Sequence, residues 1–352
     1  MDMIMDTPQL QILPEHLKLI SEIDEFKGKW QALSSLAPDQ LARLKRIATI
    51  ESVGSSTRIE GARLTNSEVE RLLSGLSTTS FQSRDEEEVA GYAEAMELIF
   101  ESYDEIQTTE NHIKQLHQIL LKFSTKDARH RGDYKKFPNH VEAFDENGRS
   151  LGIIFETASP FETPLRMAEL IGWFNSELHK GTLHPLFLLS IFIVNFLAIH
   201  PFQDGNGRLS RILTTLLLLK SGYSYAPFAS LERVIEENKD QYYLALRGAQ
   251  STLYSDNSKL NHWILFFLAS LRKQVTVLES KIETEKVIAQ LPPLSQEIVQ
   301  IAEQHGKVTV RDVQRITGAN RNTIKAHIKD MVRRGDLKKI GVGKGTWYRL
   351  PY

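Results

Sequence analysis

The most constraining feature of the chain is an unbroken apolar run that leads directly into a glycine-containing polar string. The run, Leu186 to Ile199, holds only Ser190 and Asn195 as polar residues, and it is too short to cross a bilayer. It predicts a buried helix, and Leu209 to Lys220 predicts a second one. Between them lies the string His200-Pro201-Phe202-Gln203-Asp204-Gly205-Asn206-Gly207-Arg208-Leu209-Ser210-Arg211. A polar loop is therefore expected at the end of a core helix.

Helical periodicity dominates most of the remaining chain. Residues 14–110 predict helices with loops at Pro38, around Gly54 and at 74–83. Further predicted helices are Pro164 to Leu178, Ile235 to Thr252 and Asn261 to about Gln290. The exception is 129–155, where Asp145-Glu146-Asn147-Gly148 separates two β-prone runs and predicts a hairpin. The expected fold class is mainly α, with a small β-hairpin in a helical core and a C-terminal winged helix.

The C-terminal part, residues 294–352, has a pattern of its own. It predicts three helices, the third capped by Asn320, and a hairpin from Leu337 to Leu350. This order is typical of a winged helix-turn-helix. The segment holds 12 Lys and Arg against 5 Asp and Glu, whereas the whole chain has a net charge of −1. A basic module on an acidic body favours a separate partner.

DNA and protein remain alternative partners for this module. Helix three carries side chains that suit base edges and phosphates, and the hairpin adds lysines. The residues are Arg321, Asn322, Lys325, Lys329, Arg333, Arg334, Lys338, Lys339 and Lys344. Winged helices also dock proteins, so the sequence leaves both interpretations open.

The absence of cysteine limits the chemistry of the chain. It excludes disulfides, thiolate catalysis and cysteine-based zinc sites, and it fits a reducing compartment. The N-terminal residues lack the basic-then-apolar order of a signal peptide. We therefore expect a cytoplasmic protein without a membrane partner.

The polar string combines groups that suit transfer of a phosphate-linked group to a hydroxyl. His200 can accept a proton, and Asp204 offers a hard oxygen ligand for Mg²⁺. The turn at 205–207 points N–H groups at an anion from a helix N-terminus. Arg208 and Arg211 are three residues apart and face the same way, and guanidinium groups match phosphate oxygens.

The string resembles the Fic (Fido) family signature HPFx(D/E)GNGRxxR at every specified position, and the similarity covers about residues 107–250. The resemblance implies transfer of AMP from ATP to a Ser, Thr or Tyr hydroxyl of a protein, with release of pyrophosphate. It also implies roles for the string: His200 is the general base and Asp204 holds Mg²⁺. The ATP-binding residues it implies are Gly205, Asn206, Gly207, Arg208 and Arg211. One departure is Lys135, where many members carry Arg.

Two further elements are implied by the resemblance. The predicted hairpin, about 137–156, matches the family's flap, which holds a target peptide by adding a strand; Asn139 and Val141 are the candidate target contacts. Tyr243 and Gln250 lie seven residues apart on one predicted helix face, in a region that lines the adenine pocket of similar members. The alternative is that they are a core tyrosine and a surface glutamine.

Upstream, Ser56-Thr57-Arg58-Ile59-Glu60-Gly61 resembles the family's inhibitory motif (S/T)xxxE(G/N), and the predicted inhibitory helix is about 55–61. Ser56 and Glu60 share a helix face, and Glu60 is expected to pair with Arg211. That pair would remove the cation meant for the γ-phosphate and misalign ATP. The alternative is a helix-capping serine followed by a solvated glutamate.

The interpretation is an autoinhibited protein adenylyltransferase that uses ATP and Mg²⁺, and self-modification is compatible with it. The sequence does not decide between monomer and homodimer. Two rival functions stay open: removal of AMP under the control of Glu60, and DNA-binding regulation with the nucleotide site as a sensor. The expected division is an N-terminal helical region (1–106), the catalytic core (107–255), a helical connector (256–293) and the winged helix (294–352).

Overall fold

The protein is mainly helical, as a computed structural model that describes residues 10–32, 37–75, 81–144, 150–253 and 259–350 shows. The helices are α1 (Pro14–Ala32), α2 (Pro38–Ile59), α3 (Asn66–Ser74), α4 (Arg84–Ser102), α5 (Glu110–Leu120), α6 (Thr163–Lys180), α7 (Pro185–Ile199), α8 (Asn206–Lys220), α9 (Leu231–Glu237), α10 (Lys239–Gln250), α11 (Leu260–Ala289), α12 (Pro293–His305), α13 (Val310–Thr317) and α14 (Arg321–Arg334). The predicted fold class, helices with a small β-hairpin, is confirmed.

The strands form two separate hairpins. Strand β1 (Val141–Phe144) pairs antiparallel with β2 (Ser150–Phe155), and β3 (Lys338–Ile340) pairs antiparallel with β4 (Trp347–Arg349). The first pair contains two register irregularities, which bend a strand and increase its twist. The predicted turn at 145–148 lies outside the described residues.

Helix α7 is the centre of the first of two compact units, which ends at Leu278. Every residue from Leu186 to Ile199 is buried, and α7 packs against α6 and α8. Its two polar side chains bond within the helix, Ser190 to the Phe187 carbonyl and Asn195 to the Ile191 carbonyl. A helix that is apolar on all sides is a buried helix. Among the described residues no helix has the length and apolarity to cross a membrane.

Two sequence predictions about this unit are wrong. Gly54 lies inside α2 rather than in a loop. It is packed against side chains and makes no turn: a Cβ there would lie 2.6 Å from Arg58 Nη1 and 2.8 Å from Asn66 Oδ1. The single helix predicted from 235 to 252 is two helices, α9 and α10. They meet at Asn238, whose φ of −123° departs from helical geometry and whose side chain donates to the Val234 carbonyl.

The second unit, from Glu279 onward, contains α12, α13 and α14 followed by the β3–β4 hairpin. Asn320 caps α14 through a bond from the Asn322 N–H, as predicted. One face of α14 is buried in a small core through Ile324, Ile328 and Met331. The order of elements matches the prediction for 294–350, while the identification as a winged helix stays a prediction.

Gly91 provides a stability prediction for the first unit. It lies inside α4 where that helix crosses α5, and a Cβ there would collide with the carbonyl oxygen of Leu120. We expect Gly91→Ala to lower the free energy of unfolding by about 1–3 kcal/mol, because backbone cannot yield as a side chain does. Urea denaturation measures it. The control is Gly172→Ala in α6, where a Cβ would meet nothing within 4 Å; it should be neutral or stabilising. Equal effects would contradict the packing argument.

Candidate active site

The site begins at His200, which follows the last residue of α7. Its φ of 54° and ψ of 59° place it in the left-handed region, and no other non-glycine residue of the described chain has a positive φ. Its N–H donates to the Phe196 carbonyl at 2.9 Å, which closes the helix. Glycine or asparagine usually occupies such a position. A histidine in this conformation indicates that the imidazole has a function that outweighs the cost of the strained backbone.

His200 is held as a neutral base. Burial, and then the positive charge of Lys135, lowers its pKa to about 4, although Glu60 and Asp204 act in the opposite direction. Its Nδ1 lies 3.4 Å from the Leu197 carbonyl. That contact favours a proton on Nδ1 and leaves Nε2 free to accept one. The imidazole can therefore take a proton from a hydroxyl at neutral pH.

The loop after His200 is closed by a buried asparagine. The Asn206 side chain accepts from the Phe202 N–H at 2.9 Å and donates to the Phe202 carbonyl at 2.7 Å. The oxygen and the nitrogen of the side-chain amide thus bond to the N–H and the carbonyl of one residue, in the pattern that a paired β-strand makes. Asn206 was predicted to bind ATP; its side chain is used within the loop, and only its backbone N–H faces the helix start.

His117 supports the same loop from α5. Its ring stacks on Phe202, with centroids 3.8 Å apart. Its Nδ1 accepts from the Gly132 N–H at 2.9 Å, so Nε2 carries the proton and donates to the Asp204 carbonyl at 3.0 Å. Burial lowers the pKa of His117 to about 4, which keeps this arrangement neutral.

Helix α8 begins directly at the loop, with Gly205 at φ 79° as the residue before it. Its first N–H groups have no partner within the helix. Arg208, 2% exposed, lies on the first turn and pairs with Glu88 and Asp204, each at 3.2 Å. Arg84 contacts the other oxygen of Asp204 at 3.0 Å. The loop and the helix start thus bring two arginines and two carboxylates together at the N-terminus of α8.

Asp204 stays ionised beside these arginines. Burial opposes its charge, but Arg208, the Gly205 N–H and Arg84 outweigh burial and lower the pKa of Asp204. A metal ion would compete with both arginines for this carboxylate. Among the described residues no cluster of three or more His, Asp or Glu side chains is placed to hold a metal.

Arg211, on the next turn of α8, is bound by the end of α2. Its Nε donates to Ser56 Oγ at 2.8 Å, and its Nη2 donates to the Ser56 carbonyl at 2.9 Å and to Glu60 Oε1 at 2.8 Å. The Glu60 carboxylate also lies against Gly207, where a Cβ would collide with it. Ser56 is fully buried inside α2 rather than at its N-terminus. Glu60 therefore lies beside the first turn of α8, where an anion is favoured.

Three guanidinium nitrogens of the two arginines are buried without a well-aligned hydrogen bond. Nη1 of Arg208 lies 3.2 Å from Glu88, which leaves two nitrogens without any acceptor, Nε of Arg208 and Nη1 of Arg211. Both side chains are at least 95% buried. Unsatisfied buried charged donors are costly, so these atoms point to a ligand with several acceptor oxygens.

The predicted adenine-pocket residues lie on α10. Tyr243 is half-buried, with its ring against Tyr242 and the Arg247 guanidinium 5.4 Å from the ring centroid. Burial, and then the charge of Glu60, raises the pKa of Tyr243. Gln250 is 6% exposed, which does not fit a surface glutamine. A role of either residue in binding adenine stays a prediction.

The predicted target contacts lie at the start of the hairpin. The Asn139 side chain points toward the motif loop and donates to the Phe202 carbonyl at 2.6 Å and the His200 carbonyl at 3.3 Å. Val141 begins β1 and pairs with Phe155; its side chain lies outside the described part of the structure. Contact of either residue with a target stays a prediction.

The sequence analysis missed two residues that build this site, His117 and Glu88. It also missed the structural role of Lys135. Each comes from an element far from the motif in sequence and has no local signal. Only the position of Lys135 was noted, as a departure from a pattern.

Comparison with known proteins agrees with the geometry. Residues 107–218 match the model of the Fic/DOC family. The protein adenylyltransferase Fic of Drosophila sechellia is 30% identical over 205 residues, which are 57% of this chain and 39% of that relative. The chain thus spans about two fifths of the length of this relative.

Solved structures share the fold. A Fic family protein from Desulfovibrio desulfuricans G20 has a TM-score of 0.62 at 24% identity and covers 98% of both chains. A Fic domain containing signaling protein from Bacteroides thetaiotaomicron VPI-5482 has a TM-score of 0.59 at 26% identity, over 77% of this chain and 97% of that one. Residues 107–218 of this chain therefore form a domain of the Fic/DOC family.

Proposed function

We propose that the chain is a protein adenylyltransferase that transfers AMP from ATP to a Ser, Thr or Tyr hydroxyl of a protein. We propose further that Glu60 keeps it inhibited. Similarity to proteins named protein adenylyltransferase supports the reaction class. The Fic/DOC match covers the residues that would carry the chemistry.

The observation that carries the proposal is the set of unsatisfied guanidinium donors beside the N-terminus of α8. Arg208, Arg211 and the first N–H groups of α8 all lie within the first two turns of this helix. A triphosphate supplies the acceptor oxygens that all of them need. In this assignment the glycine turn binds the phosphates near the reacting bond and the arginines bind the distal ones.

His200 performs the proton transfer in the proposed reaction. The target oxygen forms a bond to the α-phosphorus while the bond from that phosphorus to the bridging oxygen breaks, and pyrophosphate leaves. Nε2 of His200 takes the hydroxyl proton. A neutral imidazole with a free Nε2 has the form that this step requires.

The donor set at Asp204 fits Mg²⁺. Proteins often bind this ion through one or two carboxylates while substrate phosphates complete the shell, and Asp204 is an ionised carboxylate beside the proposed phosphate site. We assign Asp204 as the residue that would hold it. Bound there, Mg²⁺ would neutralise phosphate charge.

Inhibition follows from the position of Glu60. Its carboxylate takes one Nη2 donor of Arg211 and lies against Gly207, where a phosphate would need both. Two anions in one place repel each other. ATP must then bind without its cation at Arg211 and with its reacting phosphorus displaced, and small displacements are costly for transfer.

The test is label transfer from α-³²P-ATP with Mg²⁺ to cell lysate protein and to the chain itself. Wild type is compared with Glu60→Gly and with Glu60→Gly/His200→Ala. Label that appears with Glu60→Gly and disappears in the double variant supports the proposal. The absence of label in every variant would overturn it. Release of AMP from labelled target by wild type would favour the rival reaction, AMP removal.

A second candidate function, binding of duplex DNA, is favoured by one face of α14. Arg321, Asn322, Lys325 and Lys329 are exposed there, opposite the buried face. In the described part of the second unit none of the three cations has a carboxylate partner. Unpaired cations on one helix face suit a phosphate backbone.

This function predicts salt-dependent DNA binding. We expect the full chain to bind a fluorescent duplex, and Lys325→Gln/Lys329→Gln to reduce the slope of log K against log salt by about 0.9 for each lost phosphate contact. Fluorescence anisotropy measures this. The control is Lys307→Gln, an exposed lysine off the α14 face. An unchanged slope in the double variant would argue for a protein partner instead.

A further inference from the structure

Lys135 lies beside the catalytic loop although it is 65 residues away in sequence. Its backbone N–H donates to the Pro201 carbonyl at 2.8 Å, and its neighbour Tyr134 pairs antiparallel with Phe202. The side chain is 3% exposed. The segment before the β1–β2 hairpin thus runs along the residues that follow His200.

The Lys135 ammonium joins three elements at once. It donates to Asn139 Oδ1 at 2.8 Å, to Thr157 Oγ1 at 2.9 Å and to the Ile199 carbonyl at 3.0 Å. Asn139 lies two residues before β1, and Thr157 lies two residues after β2. Ile199 is the last residue of α7, directly before His200. All three ammonium protons are therefore used, and they connect both ends of the hairpin to the helix that carries the base.

The network continues from Asn139 to the base itself. Its amide donates to the carbonyls of His200 and Phe202, and Thr157 Oγ1 lies 3.1 Å from Asn139 Oδ1. The left-handed backbone of His200 thus has one neighbouring carbonyl bound by Lys135 and its own carbonyl bound by Asn139. Two residues at the hairpin base thus bond the backbone carbonyls on both sides of the His200 Cα.

The ammonium has no carboxylate in hydrogen-bond contact, since all three of its acceptors are neutral. Burial lowers the pKa of Lys135 to about 8, and only Glu162 opposes this. A buried charge with neutral partners is costly, and an apolar side chain of similar length would fill the space at lower cost. Such a charge is more readily explained by function than by packing.

We propose that Lys135 is a positioning residue that connects the β1–β2 hairpin to His200, so that a target held by the hairpin lies in register with the base. This inference rests on the proposed function. The charges that face His200 are Lys135, Glu60 and Asp204. Of these, only Lys135 opposes protonation of the imidazole.

The experiment compares Lys135→Met with Lys135→Arg in the full chain, each on the Glu60→Gly background. Methionine has similar length but no charge or donor, whereas arginine keeps both. We expect Lys135→Met to lower kcat by about 10 to 10²-fold with little change in KM for ATP, because the base is misdirected. Lys135→Arg should restore most of the rate. The control is Lys136→Met, an exposed neighbour that pairs with Asp133.

A second readout does not depend on AMP transfer. NMR titration of His200 without nucleotide, assigned with His200→Asn, should show its pKa raised by about one unit in Lys135→Met. An unchanged pKa and kcat with lowered thermal stability would overturn the proposal and leave a structural role. If neither parent nor variant transfers AMP, the titration still reports on Lys135.

Should Lys135→Met fail to fold, Thr157→Val removes one acceptor and keeps the charge. We then expect a several-fold lower kcat with an unchanged pKa of His200. An unchanged kcat in a folded Thr157→Val would overturn the link between hairpin and base.

Discussion

Glu60→Gly should raise AMP transfer by roughly 10²-fold, because a misplacement of about 1 Å costs that much in a reaction of this kind. The substitution removes the Glu60 carboxylate from Nη2 of Arg211 and from the space beside Gly207. Arg211 then has two donors available for a phosphate, and the first turn of α8 is open to it. Glycine is also tolerated at the C-terminal cap of α2, so the fold should persist. Initial rates of label incorporation at saturating ATP measure the effect.

The matched control for Glu60 is Glu236. It pairs with Arg58 near the end of α2 at 2.7 Å, and its side chain is 27% exposed against 33% for Glu60. Glu236→Gln should disturb α2 to a similar degree without touching Arg211. If both variants activate equally, the cause is loosening of α2 and not release of Arg211. If Glu60→Gly matches wild type, inhibition by Glu60 is wrong.

His200→Ala on the activated background should lower kcat by roughly 10² to 10⁴-fold, which is the usual contribution of a general base. ATP binding should change little, since Arg208, Arg211 and the helix N-terminus remain. His200→Asn is the better variant for interpretation, because asparagine tolerates the left-handed backbone of this position. Both variants should lose transfer to a similar degree. Retained transfer in either would remove His200 from the mechanism.

The pH profile gives an independent check on the same residue. The pKa of His200 is lowered to about 4, so the base is unprotonated at all pH values well above that. Transfer by Glu60→Gly should therefore not fall between pH 8 and about pH 5.5 through protonation of this histidine. A histidine with an ordinary pKa would show an acid limb near 6.5. Single-turnover rates with preloaded ATP separate this limb from effects on binding.

Much of the site was predictable because its parts are close together in sequence. The string 200–211 contains the base, the carboxylate, the turn and both arginines. The apolar run Leu186 to Ile199 predicted α7 to within one residue of its observed bounds, because a continuous apolar run of that length indicates a buried helix. The contact between Glu60 and Arg211 was predicted from a short motif and is present at 2.8 Å.

The remainder depends on contacts that local patterns do not encode. A glycine such as Gly54 usually indicates a loop. Here it lies within a helix and packs against Asn66 of another helix, a contact that the local sequence does not encode. The break at Asn238 follows no glycine or proline. His117 and Glu88 are ordinary helix residues until the fold brings α5 and α4 to the start of α8. Such roles arise from tertiary packing and have no periodicity to detect.

The bidentate bond of Asn206 to Phe202 closes the motif loop from within the chain. The Asn206 amide, His117 and the hairpin base hold the motif loop by bonds within the chain, so the loop needs no ligand to complete these hydrogen bonds. Binding then needs little ordering of the chain, and conformational entropy is no barrier to activity. Under the proposed function, Glu60 then acts as a built-in competitor for the phosphate site, and its displacement is the one change that activation requires.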